Sequence, residues 1–171
     1  MKHLNLTLTK RGKAMNTLAL CALVFAVDTN ASPVITGKVI RVHDGDTITL
    51  QVENKNVNVR LARIDAPELK QPFGKKAGDY LRSILKGETV NVDVEDIDQY
   101  GRTVGTVMMG NENINMLMVT DGYAWVYREY SNGGDDLMLL EKDARDRGIN
   151  LWSTQKPVYP ADYRKSTKTT N

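Results

Sequence analysis

The amino-acid sequence predicts an α+β fold: a five-stranded OB-fold Greek-key β-barrel with three α-helices, preceded by a signal peptide. Three observations carry that expectation. Five stretches alternate apolar and polar residues with the period of a half-buried strand, one amphipathic helical stretch falls between the third and fourth of them, and two shorter helical stretches follow the fifth. The resulting order, β-β-β-α-β-β-α-α, is the connectivity of an OB-fold, a small barrel whose face and loops commonly take oligonucleotides or oligosaccharides. Fold alone does not assign an activity.

The first strand covers 38–42 and runs into an Asp44-Gly45 turn. In the second, Ile48, Leu50 and Val52 alternate with Thr49 and Gln51. In the third, Val57, Val59 and Leu61 alternate with Asn58, Arg60 and Ala62, and the polar residues 53–56 join the two as a hairpin. Ala77, Tyr80, Leu81, Ile84 and Leu85 fall at i, i+3, i+4, i+7 and i+8 of one helix, which Gly87 ends in a left-handed conformation. The fourth strand covers 89–94, with Val90, Val92 and Val94 on one face, and the fifth covers 103–109. Ile114, Leu117 and Met118 mark a short helix ending at Gly122; Leu137, Leu140 and Ala144 mark another ending at Gly148. Beyond Trp152 no apolar period continues, so 32–153 reads as the one domain and 154–171 as a polar C-terminal tail.

The composition, 41% hydrophobic and 26% charged over 171 residues, suits one water-soluble domain and excludes collagen-like, disordered and polytopic membrane chains. One cysteine and two histidines, His3 and His43, leave no cluster with zinc-ligand spacing. The formal net charge of +2 hints at a polyanionic partner until its location is considered. Lys2, Lys10, Arg11 and Lys13 precede an apolar run at 18–27 that is too short to cross a bilayer comfortably, and Thr29-Asn30-Ala31 supplies small residues where a signal peptidase cuts. A buried N-terminal helix is the competing reading. Cleavage after Ala31 removes four cations, one acid (Asp28) and the only thiol (Cys21), turning +2 into −1. The expectation is an exported monomer, in the periplasm or the medium, without stable membrane association once cleaved.

Acids and arginines cluster at the strand ends. Asp44-Gly45-Asp46-Thr47 enters the second strand and Ile64-Asp65-Ala66-Pro67-Glu68 follows the third. If neighbouring strands bring Asp46 beside Asp65, the two carboxylates repel unless something positive lies between them. With oxygen donors and no His or Cys nearby, Ca²⁺ or Mg²⁺ fits better than zinc or copper. Each residue has a plainer reading: Asp-Gly pairs cap turns, a residue before proline ends a strand, Arg60 can be an exposed strand cation, Arg102 a turn residue, and Glu68 a solvated loop acid.

Taken jointly, five motifs outweigh those readings. They are Asp44-Gly45-Asp46-Thr47; Arg60-Leu61-Ala62-Arg63-Ile64-Asp65-Ala66-Pro67-Glu68; Asp98-Gln99-Tyr100-Gly101-Arg102; Asp121-Gly122-Tyr123-Ala124; and Asn150-Leu151-Trp152. Through them residues 41–152, most of the chain left after cleavage, resemble the staphylococcal (micrococcal) nuclease family. The resemblance implies a calcium-dependent phosphodiesterase acting on DNA and RNA with little sequence preference and giving 3′-phosphorylated products. It implies Asp46, Asp65 and the Ala66 carbonyl as Ca²⁺ ligands, Glu68 as general base, and Arg60 and Arg102 as the guanidinium groups that grip the scissile phosphate. Tyr100 is a candidate for stacking on a nucleotide, with Tyr127 and Tyr130 weaker ones; Trp125 and Trp152 are assigned to packing.

Departures from the family pattern are Ala66 in place of a threonine, Gln99 in place of a lysine, and a shorter loop after the base at 69–73, which bears on rate. The rival reading is a non-catalytic OB-fold nucleic-acid-binding module, which loss of the key acids and arginines would favour; all five are present. An exported barrel binding sugar or protein is the third.

Overall fold

Alternation along five strands, interrupted by register shifts at Val39/Arg41 and Val94/Asp96, puts one side of each against a common interior, and the strands close on themselves to cover it. In the computed structural model the described residues are 32–130 and 135–168, so the signal peptide expected at 1–31 lies outside them. The elements in chain order are β1 (Val34–Val42), β2 (Thr47–Val52), β3 (Lys55–Leu61), β4 (Ile64–Asp65), α1 (Gly74–Leu85), β5 (Thr89–Ile97), β6 (Thr103–Met109), β7 (Glu112–Asn113), α2 (Ile114–Thr120), β8 (Trp125–Val126), α3 (Asp135–Asp146) and α4 (Pro160–Lys168). Short 3₁₀ turns occupy Arg128–Tyr130 and Asn150–Ser153.

The five long strands run in the order β3-β2-β1-β5-β6, and β3 pairs with β6 to close the barrel. That closing seam is parallel, with Arg60 opposite Val104 and Leu61 opposite Gly105, whereas the other pairings among the five are antiparallel. The barrel and the β-β-β-α-β-β-α-α order match the OB-fold expectation, and the inward sets are the expected ones. Ile48, Leu50, Val59, Leu61, Val90, Val92 and Val107 are at most 1% exposed, as are Ala77, Leu81 and Leu85 on the α1 face that plugs the barrel. Each large apolar side chain buried this way stabilises by roughly 1.5–3 kcal/mol.

Helix α2 carries a polar hub. Asn115 is 3% exposed; its amide donates to the Ala62 and Gly105 carbonyls at 2.9 and 3.3 Å, and its oxygen accepts the Val107 N–H at 2.9 Å. One buried side chain thus ties the end of β3 to β6 at the seam. All its polar atoms are satisfied, so its burial costs little.

The structure corrects the expectation of three helices and a polar tail. Within 154–171, α4 forms at Pro160–Lys168, and Tyr159 is 5% exposed in a second apolar cluster with Trp125 and Leu151, packed by Phe73, Trp152 and Ala161. Pro160 occupies the first helical position, where its missing N–H costs nothing. Anchorage comes from aromatic rings instead of an aliphatic stripe, which is why an apolar-period count passes over it.

Gly74 opens α1 against the loop that carries Glu68. A Cβ at residue 74 lies 1.7 Å from the Glu68 carbonyl oxygen, far inside any tolerable contact. Gly74→Ala is therefore expected to displace the 68–73 loop and to lower the melting temperature by several degrees, which a thermal melt checks.

Candidate active site

The site is assembled where β2, β3, β4 and β6 present their ends. Asp46 sits in the β1–β2 connection, held by its own backbone and carboxylate. Its N–H donates to Asp44 Oδ1 at 3.1 Å, its carbonyl accepts the Leu61 N–H at 2.8 Å, and its Oδ1 accepts the Thr47 hydroxyl at 3.0 Å. Its Oδ2 accepts the Ala66 N–H at 2.7 Å. Gly45 is needed beside it, since a Cβ there lies 2.7 Å from Ala66 Cβ and 2.8 Å from Ala77 Cβ.

After β3 the chain reverses through Arg63, whose φ of 64° is a left-handed conformation that non-glycine residues rarely take. The reversal lays β4 against β8, with Asp65 opposite Trp125, and swings Asp65 back toward Arg60. Arg60 then spans both carboxylates: Nη1 lies 2.9 Å from Asp46 Oδ2 and Nη2 lies 3.2 Å from Asp65 Oδ1. Asp46 and Asp65 are 6% and 1% exposed. The positive group that the sequence requires between them is, in this structure, Arg60 itself.

Arg102 arrives by the barrel seam, two residues before Val104, the strand partner of Arg60. Asp98 orients it, accepting the Tyr100 and Arg102 N–H groups on Oδ1 at 2.9 and 3.0 Å and the Arg102 Nε on Oδ2 at 2.7 Å. Arg102 therefore keeps the two terminal nitrogens of its fork for other acceptors. Burial opposes ionisation of Asp98, but these hydrogen bonds from Arg102 and Tyr100 hold its carboxyl below the usual range. Tyr100 is 74% exposed, its ring 5.5 Å from the Arg102 guanidinium.

Asp46, Asp65, Arg60, Asp98, Arg102 and Tyr100 line one cleft of about 470 Å³, together with Glu68, Arg63, Tyr127 and Arg164. The structure thus brings together Asp46, Asp65, Arg60, Glu68, Arg102 and Tyr100, with the Ala66 backbone on Asp46. The Tyr130 side chain lies outside the described residues. Tyr127 is turned to Glu129, its hydroxyl donating at 3.0 Å. Trp125 and Trp152 pack against each other edge-on at 5.2 Å, as assigned.

Six acids line the cleft, Asp44, Asp46, Asp65, Glu68, Asp96 and Asp98, against four arginines, Arg60, Arg63, Arg102 and Arg164. That surplus of two negative charges and an all-oxygen donor set fit one hard divalent cation. Among the described residues no three Asp, Glu, His or Cys side chains are spaced to enclose a metal by themselves, so a cation here draws part of its shell from backbone, substrate or water. Burial first, and then the neighbouring Asp46 charge, push Asp44 up to about 7. Burial likewise raises Asp65, against the hydrogen bonds from Arg164.

A protein-family model described as staphylococcal nuclease homologue matches residues 58–154. The chain belongs to the staphylococcal nuclease family. It is 38% identical over 157 residues to a micrococcal nuclease of Shigella flexneri, covering 86% of this chain and 90% of that one. It is 43% identical over 131 residues to an uncharacterized endonuclease of Escherichia coli O157:H7 (76% and 85% covered), and 39% identical over 168 residues to protein ParB of Escherichia coli (92% and 95% covered). The nuclease-family match takes in Arg60, Asp65, Glu68 and Arg102, while Asp46 precedes it and Arg164 follows it.

Sequence reasoning missed Arg164 and Gln71. The only signals for the first were Pro160 at a helix start and two tyrosines four apart, Tyr159 and Tyr163; for the second there was none.

A carboxyl raised in the folded state keeps its proton where the unfolded chain has already lost it. Stability therefore falls as pH rises from the unfolded value near 4 through about 7, and the cost is complete above that. In cation-free buffer Asp44→Asn is expected to melt several degrees above wild type at pH 8 and level with it near pH 4; equal melting temperatures at both values contradict the assignment.

Proposed function

We propose that the protein is an exported Ca²⁺-dependent nuclease that hydrolyses phosphodiester bonds in DNA and RNA with little sequence preference and leaves 3′-phosphorylated products. The observation that carries this reading is the convergence of Asp46, Asp65, Glu68, Arg60 and Arg102 on one acid-rich cleft. Family membership makes nucleic acid the substrate class.

Asp46, Asp65 and the Ala66 carbonyl are the residues that would hold Ca²⁺, which when bound supplies positive charge at the phosphate and acidifies water. Arg102, tethered through Nε, presents a pre-oriented fork whose geometry matches phosphate oxygens. Arg60 is the second guanidinium; its Nη1 and Nη2 rest on Asp46 and Asp65, so its rotamer is already set and it meets phosphate with the N–H groups that remain. Glu68 takes a proton from the attacking water as the water oxygen bonds to phosphorus and the bond to the 5′ oxygen breaks; the 5′ oxygen takes a proton from solvent and leaves as a hydroxyl, and Glu68 returns its proton to solvent. An exposed Tyr100 beside Arg102 gives a base a stacking surface worth roughly 1–3 kcal/mol whatever the base, which suits low sequence preference. Tyr130 is the second nucleotide contact we propose.

Net charge does not supply affinity in this reading, because the mature chain carries −1. Local placement of arginines and the bound cation does.

Glu68→Gln, nearly isosteric, is expected to keep the fold and substrate affinity while kcat falls by about 10²–10⁴, the usual yield of general-base catalysis; an unchanged kcat removes Glu68 from that role. Excess Ca²⁺ chelator is expected to abolish cleavage of plasmid DNA, single-stranded DNA and RNA alike, with activity returning on Ca²⁺ addition. Full activity under chelation removes the metal role from Asp46 and Asp65.

A further inference from the structure

The C-terminal segment reaches the loop of the proposed base from outside the family match. Arg164, on α4, donates from Nη1 to Glu68 Oε1 at 2.8 Å and to Asp65 Oδ1 at 3.3 Å, and from Nη2 to Asp65 Oδ2 at 3.1 Å. Gln71, 5% exposed, accepts the Glu68 N–H at 3.2 Å and donates to the Val158 carbonyl at 2.6 Å. The Tyr163 hydroxyl donates to the Lys70 carbonyl at 3.2 Å. Residues 158–164 thus touch the loop at its base, its crest and its functional side chain.

The segment is anchored independently of those contacts. Tyr159 packs edge-on to Trp125 at 6.1 Å, its hydroxyl accepts the Arg128 N–H at 3.1 Å, and the Arg128 guanidinium lies 3.8 Å over its ring. Aromatic packing fixes one side of α4, and Arg164 projects from that fixed frame onto Glu68.

We propose that Arg164 is a positioning residue for phosphodiester hydrolysis: it holds the Glu68 carboxylate in one orientation, with Gln71 and α4 bracing the loop beneath. The inference rests on Glu68 being the base, as proposed above. The Glu68 side chain is 40% exposed on a loop, so left alone it samples several rotamers. A general base must stand within about 3.2 Å of the water it deprotonates, and misplacement by about 1 Å costs on the order of 10²-fold in rate. Only a planar fork satisfies Glu68 and both oxygens of Asp65 together; a lysine makes one of those contacts well. The loop at 69–73 is short, and α4 supplies the support that a longer loop would provide for itself.

A double-mutant cycle tests this, using wild type, Arg164→Gln, Glu68→Gln and the double variant on a single-stranded oligonucleotide in saturating Ca²⁺. Arg164→Gln is expected to lower kcat by about 10–100-fold with KM changed by less than about twofold, and to cost nothing further in the Glu68→Gln background. Arg164→Lys is expected to recover only part of the loss. Independently of activity, amide exchange of 66–73 is expected to quicken in metal-free Arg164→Gln while its melting temperature stays within a few degrees. Higher activity in Arg164→Gln, a change confined to KM, or an equal loss in the Glu68→Gln background overturns the proposal, pointing to a latch, a phosphate contact or a purely structural role respectively. Full activity of Glu68→Gln instead sinks the base assignment, and this inference with it; an inactive Glu68→Gln beside an intact Arg164→Gln sinks this inference alone. Should Arg164→Gln fail to fold, Arg164→Lys carries the same cycle and must show the same non-additivity.

Discussion

Two buried carboxylates of like charge, Asp46 and Asp65, bridged by the Arg60 guanidinium, are the constraint around which the molecule is arranged. Left uncompensated, two such charges repel by about 2–3 kcal/mol at the effective dielectric of a protein site, and desolvation adds to that. Arg60 is the local answer, and it is available only because β3 delivers it at the parallel seam with β6. The seam in turn brings Arg102 to the same place, so closing the barrel and loading the cleft with positive charge are one event. The left-handed Arg63 turn and the β4–β8 ladder complete it by returning Asp65 to the strand it has just left.

Compensation by arginine is partial. The cleft still carries more acids than cations, and the carboxyls of Asp44 and Asp65 are raised by burial first, with the Asp46 charge adding to it. In the reading proposed above, keeping these acids close together costs folding free energy that a divalent cation would offset. Most of the barrel pulls the other way, burying aliphatic side chains completely and satisfying its buried amides, Asn115 included. Stability concentrated in the barrel and in α1 is what lets the strand ends tolerate strain and unmatched charge.

Much of this was legible in the sequence, for identifiable reasons. Period-two alternation is enforced by the pleat, so Ile48, Leu50, Val59, Val90 and Val92 declared their faces, and β6 ran over the expected residues. Glycine stops at Gly87, Gly122 and Gly148 are all left-handed, as helix ends demand. The candidate site residues stood out only through the joint motif set that resembles the nuclease family, since each acid or arginine taken alone has a plainer reading. Two things were not legible. That Arg60 bridges Asp46 and Asp65 depends on a backbone reversal at an arginine, a residue with no turn propensity to announce it. The docking of α4 depends on Tyr159 finding Trp125 and on Gln71 finding Val158, contacts 34 and 87 positions apart that leave no periodic trace. Local pattern reports what a segment buries against its neighbours in sequence; it is silent on a polar segment secured by one ring.

The second apolar cluster gives the molecule an optical property. The chain has two tryptophans, and both, Trp125 and Trp152, lie in the patch that Tyr159 and Ala161 of the C-terminal segment complete. The aliphatic interior of the barrel holds no indole among its described buried residues. Emission excited at the red edge of the absorption band therefore originates beside the docked segment, and its wavelength and quenching follow solvent access to that patch. Detachment of α4 with the barrel intact and global unfolding then become distinguishable from a single fluorophore pair when backbone dichroism is recorded alongside, with no label attached.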